Sequence, residues 1–149
     1  MKSLFIVTDK DEILARINKL TPDTQHLWGK MNVCQMLVHC QVGVESAIGD
    51  RYMSRTLMGK LIGRFFKSMA TNNRSFGQGS PTHPDFIIGN TEEFSIEKDK
   101  LTALVQRMYD GGKHGATGNP HAFFGHLTPT EWGALMYKHI DHHLKQFGA

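Results

Sequence analysis

His139 and His143 stand one helical turn apart in the run Thr128 to Gly148, TPTEWGALMYKHIDHHLKQFG, near the end of the 149-residue chain. Thr128 and Glu131 form a capping box, and Pro129 occupies the first helical position, where its missing N–H is harmless. Gly148 stands where a helix stop is expected. At about 100° per residue from Trp132, Met136 falls near 40°, His139 near 340° and His143 near 20°. Both histidines therefore share the apolar face. A buried imidazole without a partner costs on the order of 1–3 kcal/mol, and two rings one turn apart can satisfy each other's need by converging on one metal ion. The competing reading is two structural histidines bonded to backbone or carboxylates.

His39, in the run Gln35-Met36-Leu37-Val38-His39, supplies a candidate third ligand. It falls on the border of its own apolar stripe, about 60° from Met36, where a side chain can reach into a cleft between helices. Alone it reads as a surface or capping residue; beside His139 and His143 it completes a set of three. His142 lies about 60° from His139 and is an alternative ligand or a supporting donor. Metalloprotease helices place Glu directly after the first His; here Ile140 follows, and Asp141 points about 160° from His139. The helix thus brings ligands and no obvious base. Three neutral imidazoles with open positions let a divalent ion acidify water or polarise a thiol or carbonyl, and Zn, Ni or Fe all suit imidazole.

Several helices must position these residues. Thr8 to Leu20 carries Ile13, Leu14, Ile17 and Leu20 at helical spacing behind a possible Thr8 cap. Thr21, Pro22 and Asp23 end it, and Trp28 anchors the following connector on the core. Asn32 caps a second helix running to about Gly49, with Val33, Met36, Leu37, Cys40, Val44, Ala47 and Ile48 inward. A third is expected from about Met53 to Ala70, with Leu57, Met58, Leu61, Ile62, Phe65 and Met69 inward and Lys60, Arg64 and Lys67 on a solvated face. Gly59 and Gly63 weaken it but permit close packing. Thr71 to Asn90 reads as a long loop of the kind that serves as a lid or binding loop. A fourth long helix begins near Thr91 and runs to about Tyr109, with Phe94, Leu101, Leu104, Val105 and Met108 inward. Gly111 to His126 is irregular; it holds His114, His121 and His126, and its Phe123-Phe124-Gly125 run is placed to plug a cavity mouth. Phe86-Ile87-Ile88 is too short to build a sheet.

Composition bounds the rest. The length suits one domain, residues 1–149, and 40% hydrophobic with 21% charged residues is ordinary for a globular protein. A net charge of +3 comes without a basic run interleaved with aromatics, so nucleic acid is not the expected partner. The apolar patch Leu4 to Val7 is too short for a signal-peptide core, and no run approaches the roughly 18 apolar residues of a membrane span. Cys34 and Cys40 lie about 9 Å apart along one helix and on different faces, so no disulfide joins them. A cytoplasmic location is the expectation, and nine histidines are the compositional excess.

With Trp28 to Met31 preceding Gln35 to His39, and with Tyr137 to Gly148 matching Tyr-Lys-His-x-Asp-His-His-Leu-x-Gln-Phe-Gly, the chain resembles the DinB/YfiT-like superfamily of metalloenzymes, in a branch of unknown function. The resemblance covers nearly the whole chain. It implies an all-α, up-down four-helix bundle with long loops, a divalent metal held by His39, His139 and His143, and a homodimer. Relatives include transferases and isomerases that use low-molecular-weight thiols. Fold-level likeness does not transfer a reaction, and no residue fixes a substrate.

Two functions from different classes follow. One is a metal-dependent enzyme, a thiol-dependent transferase or a hydrolase, with Gln35, His142 or a loop histidine assisting. The other is a non-catalytic bundle that binds metal or ligand for stability or assembly. An open coordination position facing a pocket separates them. A third, weaker class is a membrane-surface or nucleic-acid binder working through Lys60, Arg64 and Lys67, so the expected partner is a small molecule and neither nucleic acid nor membrane.

Overall fold

Reciprocal capping boxes start the two helices that carry the histidines. The Asn32 side chain accepts from the Gln35 N–H at 2.8 Å, and the Gln35 side chain accepts from the Asn32 N–H at 3.0 Å. Thr128 and Glu131 do the same at 3.3 and 2.7 Å. Each box satisfies two of the four N–H groups that a helix start leaves bare. The computed structural model describes residues 1–72, 76–79, 86–89, 91 and 93–149. Its long helices are α1 (Val7–Lys19), α2 (Val33–Ile48), α5 (Phe94–Gly111) and α6 (Pro129–Gln146); α3 (Leu57–Ile62) and α4 (Ser68–Thr71) are short. Among the described residues the protein is all-helical, with no strand. Phe86-Ile87-Ile88 forms none, as its length predicts.

α1 and α2 each pack against both α5 and α6. The shared core holds Ile13 and Ile17 of α1, Met36, Leu37 and Val44 of α2, Leu101 and Val105 of α5, and Trp132, Ile140 and Leu144 of α6. These are the helical-period positions of the sequence, and burying each such side chain is worth roughly 1.5–3 kcal/mol. Phe94 and Leu104 pack at the core's margin. Polar seams fix the helices against one another. Arg16 donates to Asp141 at 2.7 Å and to the Ala149 carbonyl at 3.0 Å, joining α1 to α6. Gln41 donates to the buried Glu97 carboxylate at 2.8 Å, joining α2 to α5. Cys34 and Cys40 are free thiols.

The helix expected from Met53 to Ala70 is the main correction. It breaks into α3, a 3₁₀ turn at Gly63–Phe66, and α4. Thr56 sets the start: its hydroxyl caps the Gly59 N–H, and its own N–H is held by the Ala122 carbonyl at 3.1 Å. Its apolar stripe faces outward, with Leu57, Leu61 and Phe65 exposed. The inward face is instead Gly59 and Gly63, seated on the backbone of Ala122 and Phe123. A Cβ at Gly63 would stand 1.8 Å from the Phe123 carbonyl oxygen, so glycine is required there for contact alone. The backbone of the Phe123-Phe124-Gly125 run is therefore the seat of α3.

Smaller differences concern caps and ends. α1 begins at Val7 with Ile6 as its cap and no side-chain hydrogen bond, so Thr8 is not a cap. α5 begins at Phe94 and ends at Gly111, two residues past the expected stop. The expected loop from Thr71 to Asn90 falls partly outside the described residues. No helix of the described residues is long and apolar enough to cross a membrane.

Candidate metal centre

His39 comes from the middle of α2, and His139 and His143 come from the last two turns of α6. α2 and α6 pack directly on each other, which turns a histidine on each into one cluster. One nitrogen from each ring lies within 4.8 Å of the other two. Ring centroids are 5.0 Å apart for His39 and His139, 4.4 Å for His39 and His143, and 4.9 Å for His139 and His143. Nitrogens bound to a single zinc ion at 2.0–2.1 Å sit roughly 3.4 Å apart, so the spacing is close to a ligand set. His39 and His143 are buried and His139 is half-buried. His39 reaches from the border of its stripe to the rings of α6, and Phe86 encloses it at a centroid distance of 4.8 Å.

The surroundings fix which nitrogen of two of the three rings faces the centre. A carbonyl oxygen can only accept, so the 3.2 Å contact between His39 Nδ1 and the Phe86 carbonyl makes Nδ1–H the donor. The Nε2 of His39 then carries a lone pair. For His143 the same logic runs through Gln146. The Gln146 Nε2 donates to the Trp28 carbonyl at 2.8 Å, which turns its Oε1 toward His143 Nδ1, also at 2.8 Å. His143 therefore also presents its Nε2 lone pair. The His139 Nε2 meets His39 Nε2 at 2.9 Å. With His39 Nε2 fixed as the acceptor, His139 supplies the proton of that contact. Gly43 of α2 gives the His139 ring its room; a Cβ there would lie 2.8 Å from Nδ1.

Electrostatics keep the rings neutral. Burial pushes His143 down to about 3, with the His39 ring adding to the shift. Burial and the neighbouring imidazoles hold His139 well below the ordinary imidazole range. Burial lowers His39 as well, against the Phe86 carbonyl, which favours the charged ring. Neutral imidazole is the metal-binding form.

The other candidates separate from the cluster. His142 flanks it, its ring 5.1 Å from that of His143, between Trp28 at 6.0 Å and Phe76 at 5.9 Å. Gln35 is committed to its cap and to the Ile88 carbonyl at 3.0 Å. His121 accepts from the Phe123 and Phe124 N–H groups, and His114 and His126 are exposed. Asp141 is engaged by Arg16 and Lys145, as its wheel position suggests. Sequence reading misses Gln146, Trp28, Phe86 and Gly43 as parts of the site. Only the first carries a sequence signal, because it follows His143 by three residues and so lies on the same helix face.

The loop side of the site is tied by side chains from the helices. His39 and Gln35 hold the carbonyls of Phe86 and Ile88. Lys138 donates to the Met69 carbonyl and to the Asn72 side chain at 2.9 Å, and its ammonium sits 4.5 Å from the Phe76 ring centre.

An all-helical protein with three convergent histidines is the class that fold and site define. The chain belongs to DUF1569, a family described as a protein of unknown function, whose model matches residues 2–149. No curated protein and no solved structure matches the chain.

Proposed function

We propose that this chain is a divalent-metal protein of DinB/YfiT-like architecture, an up-down four-helix bundle of α1, α2, α5 and α6, in which His39, His139 and His143 hold the ion. The observation that carries the reading is the pair of fixed tautomers: Phe86 and Gln146 leave the Nε2 lone pairs of His39 and His143 turned to one centre beside His139 Nε2. The donor set is all imidazole, which suits Zn, Ni or Fe. Held there, a divalent ion would supply Lewis acidity toward a thiol or water. The chain's own part is to fix three neutral rings, wall one side with Phe86, and leave His142 at the flank as a proton acceptor. The function this supports is a metal-dependent enzyme acting on a small molecule, as a thiol-dependent transferase or a hydrolase. The resemblance adds a low-molecular-weight thiol as co-substrate and a homodimer, and the unpaired cysteines fit a cytoplasmic setting.

Cobalt-loaded protein tests whether a position is open. Addition of a small thiol should produce a sulfur-to-cobalt charge-transfer absorption, absent from His39→Ala. A cobalt spectrum indifferent to thiols, azide and pH would instead assign the ion a structural role, the second reading, in which no outside ligand reaches the metal.

A further inference from the structure

Residues 51–69 carry five cations and no carboxylate, RYMSRTLMGKLIGRFFKSM. Three of the cations are engaged: Arg51 with Glu45, Lys67 with Glu131, and Arg55 with the Gly59 carbonyl. Lys60 and Arg64 are exposed and make no ion pair among the described residues. Between and beside them stand large apolar side chains in water: Leu57 is 79% exposed, Met58 58%, Leu61 72% and Phe65 66%. Leu57, Leu61 and Phe65 recur every four residues, so they form one stripe, and Lys60 and Arg64 immediately precede two of its members along the same edge. The Arg64 guanidinium lies 4.7 Å from the centre of the Phe65 ring. The opposite face is locked down by Gly59 and Gly63 on the Phe123 backbone, so the stripe cannot turn inward without dismantling α3.

We propose that α3 and the turn after it, Leu57 to Phe65, form a peripheral docking face for an anionic phospholipid surface. An apolar stripe edged by cations on a pinned short helix matches the requirement of the bilayer boundary: side chains for the acyl region, and ammonium and guanidinium groups that extend to the headgroup phosphates. Charge decides among occupants. A second copy meeting this face about a two-fold axis would set Lys60 and Arg64 against the same cation-bearing stretch of its partner, which holds no carboxylate to answer them. Nucleic acid would use the cations but leave the leucines and Phe65 with nothing to bury against. An anionic bilayer answers both. The inference is independent of the metal reading, since none of these residues touches the histidine cluster.

Flotation of the full chain with vesicles tests it. The chain should rise with vesicles of phosphatidylglycerol and phosphatidylcholine, remain behind with phosphatidylcholine alone, and detach as salt is raised. Lys60→Glu/Arg64→Glu should weaken partitioning by about 30-fold or more, two cations being lost and reversed. Leu61→Ser/Phe65→Ser should weaken it by at least about tenfold, with melting temperature and metal content unchanged because both positions are exposed. No binding to the anionic vesicles, equal binding to both vesicle types, or binding untouched by both double variants would overturn the proposal. So would a dimer in sedimentation that Leu61→Ser/Phe65→Ser dissociates, which would give the face to a second copy.

Discussion

His143 Nδ1 donates to Gln146 Oε1 at 2.8 Å, and the same amide donates onward to the Trp28 carbonyl at 2.8 Å. The connector before α2 thus sets the tautomer of a ring near the end of α6. Outer partners of this kind commonly govern metal affinity by about 10–100-fold. Gln146→Leu should weaken zinc binding by that order while His143 stays in place. Gln146→Glu keeps an acceptor for Nδ1 and should recover much of the loss, although it gives up the bond to Trp28. Competition against a chromogenic chelator reads both. Equal affinity in the wild type and Gln146→Leu would show that the amide does not orient the ring.

Gly43→Ala offers a test in which the sign decides. In an unconstrained helix the change to Ala stabilises by about 1 kcal/mol. At this position the new methyl would lie 2.8 Å from His139 Nδ1 and 3.6 Å from Met136 Sδ. The ring must move, so thermal stability should fall and zinc affinity with it. A higher melting temperature with undiminished affinity would mean that the ring has room to spare.

Gly63→Ala should destabilise by about 1–3 kcal/mol, the usual cost of overpacking, because the Cβ would collide with the Phe123 carbonyl. Its melting temperature should drop by several degrees. Gly111→Ala is the control, since nothing lies within 4 Å of a Cβ there.

Acid should destabilise the metal-free protein in a defined window. His143 is held near 3 when folded, and His39 and His139 are also depressed, against an ordinary 6.5. Below pH 6.5 the unfolded chain takes up protons that the folded cluster refuses, so the stability is fully present above 6.5. It is lost progressively as pH falls toward 3, by up to about 1.4 kcal/mol per pH unit for each histidine. Chemical denaturation at pH 7.5 and 5.0 checks the slope. His143→Phe, which keeps a ring in the site, should remove that histidine's share of the slope; a slope unchanged in that variant would place the proton uptake elsewhere.

The helices that hold the site are legible in the sequence because independent signals agree in them. In α6 the capping box, Pro129, the apolar period and Gly148 mark the same segment, and in α2 Asn32 and the stripe from Val33 to Ile48 do likewise. Sharing of the cluster by His39, His139 and His143 follows, since those helices pack on each other. The segment from Met53 to Ala70 misleads because periodicity reports which residues share a face, not what covers that face. The deciding contact, Gly59 and Gly63 against Phe123, links positions some sixty residues apart, and no local pattern announces it. Phe86 is hidden for the same reason: its carbonyl and its ring both meet the histidines across a long stretch of chain.

Zinc titration followed by calorimetry tests the central claim most directly. The wild-type chain should bind one ion per chain, and His39→Ala, His139→Ala and His143→Ala should each abolish stoichiometric binding. Saturable binding that survives all three substitutions, or no binding by the wild type, would contradict a shared ion at these rings.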